Sequence, residues 1–148
     1  MKTPPTPQPN ILLINRNRDG LLVRSSLLKD LGYRVAAAQS GEEGLKLFEG
    51  SAFDVVVVDH HMPRIGGVEL IKGIRKSNPQ ARVILLSGQV DALALTPEST
   101  GADVVVAKSG SEATQLARAI KRLLNRPVPR KPPASQKRSG ALTRTAAR

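Results

Sequence analysis

Residues 53–63 read Phe-Asp-Val-Val-Val-Val-Asp-His-His-Met-Pro, a β-branched run that stops abruptly on a carboxylate. Four valines in succession cannot alternate between a wet and a dry face, so the run predicts a parallel strand buried on both sides. Asp59 then falls just beyond the strand's C-terminal end, the edge at which open α/β sheets carry their ligands.

The same grammar recurs on both sides of this run. Ile11-Leu12-Leu13-Ile14 is a short apolar run closed by the polar Asn15-Arg16-Asn17, and from Gly20 leucines at helical spacing predict a helix that stops at Gly32. Residues 33–38 give a weaker strand, because alanine has poor strand propensity. Ser40-Gly41-Glu42-Glu43 forms a capping box ahead of a helix ending at Gly50. After Asp59, a loop with Pro63, Gly66 and Gly67 leads into a helix that should stop before Pro79. Val83-Ile84-Leu85-Leu86 predicts a fourth strand ending at Ser87. Residues 89–101 contain Pro97, which predicts a short, displaced or partly unwound helix. Val104-Val105-Val106-Ala107 predicts a fifth strand ending at Lys108, and Ser109 or Ser111 is expected to cap a last helix carrying Leu116, Ile120, Leu123 and Leu124. Five buried strands separated by helices require right-handed crossovers and a doubly wound α/β three-layer sandwich.

Composition narrows what this scaffold can be. The 148 residues suit one domain, predicted over 10–125, with a loose arm at 1–9 and a disordered Pro-rich basic tail at 126–148. The absence of cysteine excludes disulfides and thiolate metal sites. The N-terminus has no apolar h-region and no stretch is long enough to span a membrane, so a cytoplasmic protein is expected. The net charge of +11 is uneven: residues 126–148 hold seven Arg or Lys and no acid, whereas 1–125 hold sixteen basic against twelve acidic residues.

Parallel strands direct their C-terminal ends to one edge, so Asn15, Arg16, Asp59, Ser87 and Lys108 are expected to share a crevice. An acid, a hydroxyl and an ammonium in one cleft can receive, orient and neutralise a phosphoryl group. The adjacent His60 and His61 do not make a zinc site, since neighbouring side chains diverge and no further ligands surround them.

Residues 10–124 resemble the receiver domain of bacterial two-component response regulators, like the single-domain chemotaxis regulator. The resemblance rests on Asp59-His60-His61-Met62-Pro63 with the Gly66-Gly67 pair, on Leu86-Ser87-Gly88, and on Gly101-Ala102-Asp103 leading through valines to Lys108. It implies a flavodoxin-like (βα)5 fold with sheet order 2-1-3-4-5. It also implies that Asp59 accepts a phosphoryl group from a histidine kinase, that Ser87 is the switch hydroxyl, and that Lys108 bonds a phosphoryl oxygen. The His61 backbone carbonyl and Asp59 would be magnesium ligands if the metal binds.

Departures from the family pattern cluster at the pocket. Where the family has two acids after the first strand, this chain has Asn15 and Arg16, so the expectation is weak or no Mg²⁺ binding, with Arg16 in the metal's place forming a bidentate fork with Asp59. Ser109 replaces the proline after the lysine, Gly66 replaces a common acid, and Val105 replaces the aromatic ring that moves with the switch. The resulting expectation is an atypical stand-alone receiver, not an enzyme, monomeric or weakly dimeric, acting through contacts with a kinase or effector protein and using the face of the fourth helix, fifth strand and fifth helix. The alternative is a phosphorylation-independent pseudo-receiver, a scaffold or a nucleic-acid-binding accessory. A nucleotide-binding enzyme is disfavoured, since neither G-x-G-x-x-G after the first strand nor a Walker loop is present. For the tail, three roles stay open: solubilising linker, non-specific grip on nucleic acid, or partner docking; anionic lipid is disfavoured by the lack of apolar anchors.

Overall fold

The valine run is buried as its composition requires, with Val55, Val56, Val57 and Val58 at most 1% exposed. In this computed structural model, which describes residues 8–90 and 93–126, the run forms β3 (Val55–Asp59) at the centre of a five-stranded parallel sheet. The other strands are β1 (Asn10–Ile14), β2 (Arg34–Ala38), β4 (Val83–Ser87) and β5 (Val104–Ala107), and the order is β2-β1-β3-β4-β5. The expected fold and strand order are both present.

Alternation along each strand divides the interior into two cores. Leu12, Ile14, Val56, Val58, Val83 and Leu85 face one side, where they meet α2 (Gly41–Gly50) and α3 (Gly67–Ser77). Ile11, Leu13, Val55, Val57, Ile84 and Leu86 face the other, against α1 (Arg18–Asp30) and α5 (Glu112–Asn125). Each fully buried valine or leucine contributes about 1.5–3 kcal/mol relative to exposure, so both faces of the sheet are held strongly and its C-terminal edge becomes a rigid platform.

Local signals set the helix ends, with some shifts from expectation. α1 begins at Arg18 rather than Gly20, because the Asn17 side chain accepts the Gly20 N–H at 2.9 Å and opens the helix earlier. The capping box of α2 reaches one residue further back than expected: Ser40 accepts from the Glu43 N–H at 3.1 Å, and Glu43 accepts from the Gln39 N–H at 3.0 Å. The uncertain helix is a single turn, α4 (Pro97–Thr100), with Pro97 in its first turn, Thr96 as N-cap and Gly101 at φ 85° as terminator. Ser111 is the N-cap of α5 but makes no side-chain cap bond; Ser109 instead accepts the Ser111 N–H at 3.3 Å.

The opposite, N-terminal edge of the sheet is tied by one guanidinium. Arg75 donates to the carbonyls of Ala81, Pro79 and Gly101 and pairs with Asp103 at 3.0 Å, while Asp103 also accepts the Val83 N–H at 2.8 Å and pairs with Arg126 at 3.2 Å. Arg126, assigned from sequence to the tail, is thus bonded to the domain; residues 1–7 and 127–148 lie outside the described residues. Burial alone would raise the Asp103 carboxyl, but the Val83 N–H and the charge of Arg75 outweigh it and hold the group below the ordinary carboxylate value. A depressed folded value means that this stabilisation is fully present above the unfolded value of about 3.9 and is lost as pH falls through the folded one. Asp103→Asn is therefore expected to lower the urea midpoint at pH 7 and to flatten the loss of stability below about pH 4; an unchanged acid limb would remove Asp103 as its source.

Among the described residues, no helix is long and apolar enough to cross a membrane.

Candidate functional site

Strand register fixes which side chains meet. Asp59 closes β3 opposite Leu86, Ser87 closes β4 opposite Ala107, and Lys108 follows directly. The ladders run slightly past the strands: His60 N–H donates to Leu86 O at 2.8 Å, Lys108 N–H to Ser87 O at 2.9 Å, and Asn15 N–H to Ala38 O at 3.0 Å. These backbone bonds leave Asn15, Arg16, Asp59, His61, Ser87 and Lys108 around one cleft of about 350 Å³.

Asp59 is 2% exposed, and Lys108 Nζ meets its Oδ1 in an ion pair. That oxygen is buried and has no hydrogen bond of good angular geometry among the described residues, so the ammonium's charge is what offsets its desolvation. The lysine side chain reaches across from the end of β5 and is about a third exposed. Solvent-borne groups therefore reach the pair from the ammonium's side.

Ser87 is equally buried, and its hydroxyl is engaged away from Asp59: it accepts the Gln89 N–H at 3.0 Å and lies 3.4 Å from His60 Nδ1. Sequence reasoning treated His60 as a simple loop side chain; only the pairing of His60 N–H with Leu86 O brings its ring beside the neighbouring strand's hydroxyl. Met62 is buried in the core on the α2–α3 side, and Val105 packs half-buried against the same core. Gly66 is the N-cap of α3 without a side-chain bond, and Ser109 is exposed in the loop after Lys108. No peptide bond among the described residues is cis. In the loop after Asp59, Arg64 sits in the left-handed region at φ 62° and is paired at 3.1 Å with Glu42, whose carboxyl the Arg64 hydrogen bond holds below its ordinary value.

The expected fork between Arg16 and Asp59 is not formed. Asn15 is buried, and its Oδ1 accepts the Asn17 N–H at 2.9 Å, a tight turn that sends the chain into α1 and carries Arg16 to the exposed rim of the cleft. Lys108 takes the carboxylate instead. Arg16 makes no ion pair among the described residues, so the cleft holds one carboxylate and two cations.

That donor set does not suit Mg²⁺. The ion demands near-octahedral oxygen coordination and is usually recruited by more than one anionic group. Here the Asn15 oxygen is used in the turn, the one carboxylate already carries an ammonium, and a permanently charged guanidinium lines the same space.

Comparison with known proteins agrees with the geometry. Residues 11–121 match the family model described as the response regulator receiver domain. A response regulator receiver protein of Anaeromyxobacter sp. is 36% identical over 84 residues, covering 55% of this chain and 35% of that protein. The virulence sensor protein BvgS of Bordetella bronchiseptica is 43% identical over 75 residues, covering 49% of this chain and 6% of that protein. The chain thus spans about a third or less of the length of these relatives. Among solved structures, the response regulator protein TrrA of Thermotoga maritima, in complex with Mg²⁺ and BeF, is similar at a TM-score of 0.72 and 32% identity, covering 79% of this chain and all of that one. A receiver domain protein of Clostridium thermocellum matches at 0.72 and 30% identity, covering 79% and 94%.

Proposed function

This chain belongs to the family of response regulator receiver domains, signalling modules of two-component systems, and from that premise we propose an atypical receiver in which two cations serve where relatives use a metal. Asp59 is the acceptor. Its carboxylate oxygen attacks the phosphorus of a kinase phosphohistidine; a P–O bond forms, the P–N bond breaks, and the imidazole nitrogen keeps the electron pair. Lys108 leaves the carboxylate for a phosphoryl oxygen, Arg16 turns in from the rim to a second, and the Ser87 hydroxyl leaves Gln89 for a third. The observation that carries this reading is the buried Asp59 paired with Lys108 in a cleft that Arg16 also lines. Arginine suits this role because its planar fork matches phosphate oxygens and is always charged.

One observation favours a second reading. The Asp59–Lys108 pair is complete without any ligand and occupies the acceptor oxygen. A pseudo-receiver, fixed in one state and acting as a scaffold, would use the pair in this way.

The two readings separate on a phosphoryl donor and a metal titration. With acetyl phosphate or a phosphorylated kinase, the proposed receiver should gain one alkali- and hydroxylamine-labile phosphoryl group that Asp59→Asn abolishes, and removing Mg²⁺ should change the yield little. No incorporation under any metal condition would leave the scaffold. Arg16→Asp is expected to restore an anionic pair beside Asn15 and to tighten Mg²⁺ binding by tenfold or more, read by metal-induced chemical shifts at residues 59 and 87; no tightening would show that Arg16 is not what excludes the ion.

A further inference from the structure

The Ser87 hydroxyl is fully engaged, and neither of its bonds is to Asp59. It is 2% exposed and has two partners: the Gln89 N–H, which donates to it at 3.0 Å, and the His60 ring, whose Nδ1 lies 3.4 Å away. A hydroxyl has one proton to give and two lone pairs to offer. The Gln89 N–H is itself a donor, so among the described residues the hydroxyl proton has only Nδ1 to go to. A buried donor left without an acceptor costs more than an ordinary hydrogen bond returns, and this fixes the direction. The serine gives, Nδ1 accepts, and the neutral ring keeps its proton on Nε2.

The backbone holds the ring in this place. The His60 N–H donates to Leu86 O at 2.8 Å, one residue before Ser87 on β4, and the Gly67 N–H donates to His60 O at 3.1 Å. The start of α3 also packs closely here, since a Cβ at Gly67 would lie 2.8 Å from His60 Cα. His60 directly follows Asp59, so the acceptor and the ring that holds the hydroxyl belong to one stretch of backbone. On the inner side a second acceptor stands open. Asp59 Oδ1 is buried without a hydrogen bond among the described residues and meets only the Lys108 ammonium, and Asp59 and Ser87 line the same cleft.

We propose that His60 is a positioning residue for the switch: by accepting the Ser87 proton at Nδ1 it latches the hydroxyl outward, and the inward turn toward Asp59 requires that bond to break. The inference deepens the acceptor reading above and rests on it for its effect on phosphoryl transfer; the latch itself belongs to the unmodified protein. Without the ring, the hydroxyl proton has no outer partner, and the Asp59 carboxylate becomes the better acceptor because bonds to a charged group are stronger than neutral ones. The neighbouring His61 is exposed and makes no hydrogen bond among the described residues, so it serves as an internal control.

The test starts from NMR of the ring nitrogens in the full-length protein, isotope-labelled in its two histidines, at mildly alkaline pH. Ser87→Ala is expected to move the His60 Nδ1 resonance toward that of a nitrogen without a hydrogen bond and to leave His61 in place. An unmoved Nδ1, or an Nδ1 that carries the ring proton, would overturn the proposal. His60→Leu should turn Ser87 inward, read from its χ1 couplings, and raise the initial rate of phosphoryl incorporation from acetyl phosphate about two- to tenfold, the strength of one neutral hydrogen bond. His60→Asn, whose side-chain oxygen can stand in for Nδ1, is expected to bring both readouts back toward wild type, which a merely structural role would not do. In a Ser87→Ala background, His60→Leu should have no further effect on the rate. A Ser87 rotamer unmoved by His60→Leu, or a gain in rate that persists without the serine hydroxyl, would sink the inference. If no variant takes up a phosphoryl group, the acceptor reading falls, and the ring nitrogen and the Ser87 rotamer alone decide the latch.

Discussion

Lys108→Met is expected to lower the stability of the domain by about 1–3 kcal/mol at neutral pH, the largest loss of any substitution at the cleft. The reason lies in the asymmetry of the pair. Asp59 is almost wholly buried on a rigid strand end, so without the ammonium its charge has neither water nor a partner. Removing one member of a fully buried pair typically costs about 3–5 kcal/mol; here the lysine side chain is about a third exposed, which screens the interaction and lowers the expected figure. Asp59→Asn should cost less, because the freed ammonium can turn into solvent. The double variant should recover most of the loss, since neither charge is then stranded. Urea denaturation of the four proteins gives the coupling directly; strictly additive losses would mean that the two side chains do not interact in solution.

Gly67→Ala is expected to cost about 1–3 kcal/mol and to displace the acceptor. A Cβ at position 67 would lie 2.7 Å from Asp59 O and 2.8 Å from His60 Cα, both backbone atoms that cannot swing aside. The same residue's N–H donates to His60 O at 3.1 Å, so any retreat of the helix also weakens the bond that shapes the turn after Asp59. Gly66→Ser is the matched control: nothing lies within 4 Å of its Cβ, and a serine at this N-cap should leave stability unchanged or raise it by a few tenths of a kcal/mol. Thermal melts of the two variants, with the Asp59 resonance followed by NMR, test the contrast. Equal behaviour would remove close approach as the reason for glycine at 67.

The fold was legible because its signals are local and mutually consistent. An unbroken valine run can satisfy only a strand covered on both faces, and Pro97 can enter a helix only at its first turn, which is where it sits in the one-turn α4. The membership of the cleft was legible for the same reason, since parallel strands deliver their terminators to one edge. The place Arg16 takes in it was not. Whether Lys108 or Arg16 takes the Asp59 carboxylate depends on the Asn15 turn, which carries Arg16 outward, and an Asn-Arg-Asn string does not reveal that direction. Arg75 shows the limit most clearly. It lies in an ordinary polar stretch of α3, yet it binds carbonyls from two loops and the carboxylate of Asp103, partners four to twenty-eight residues away that only tertiary folding assembles.

The clamp on Arg126 gives the molecule two poles. α5 runs 14 residues, about 21 Å, from the loop beside Lys108 to the clamp, so Arg126 is held on the side facing away from the acceptor. A partner seated over Asp59 would therefore leave the Arg126 pole uncovered. Communication between them would have to pass as a rigid tilt of one rod, α5, whose near end is gripped by Arg24 through Glu112 and whose far end is gripped through Asp103.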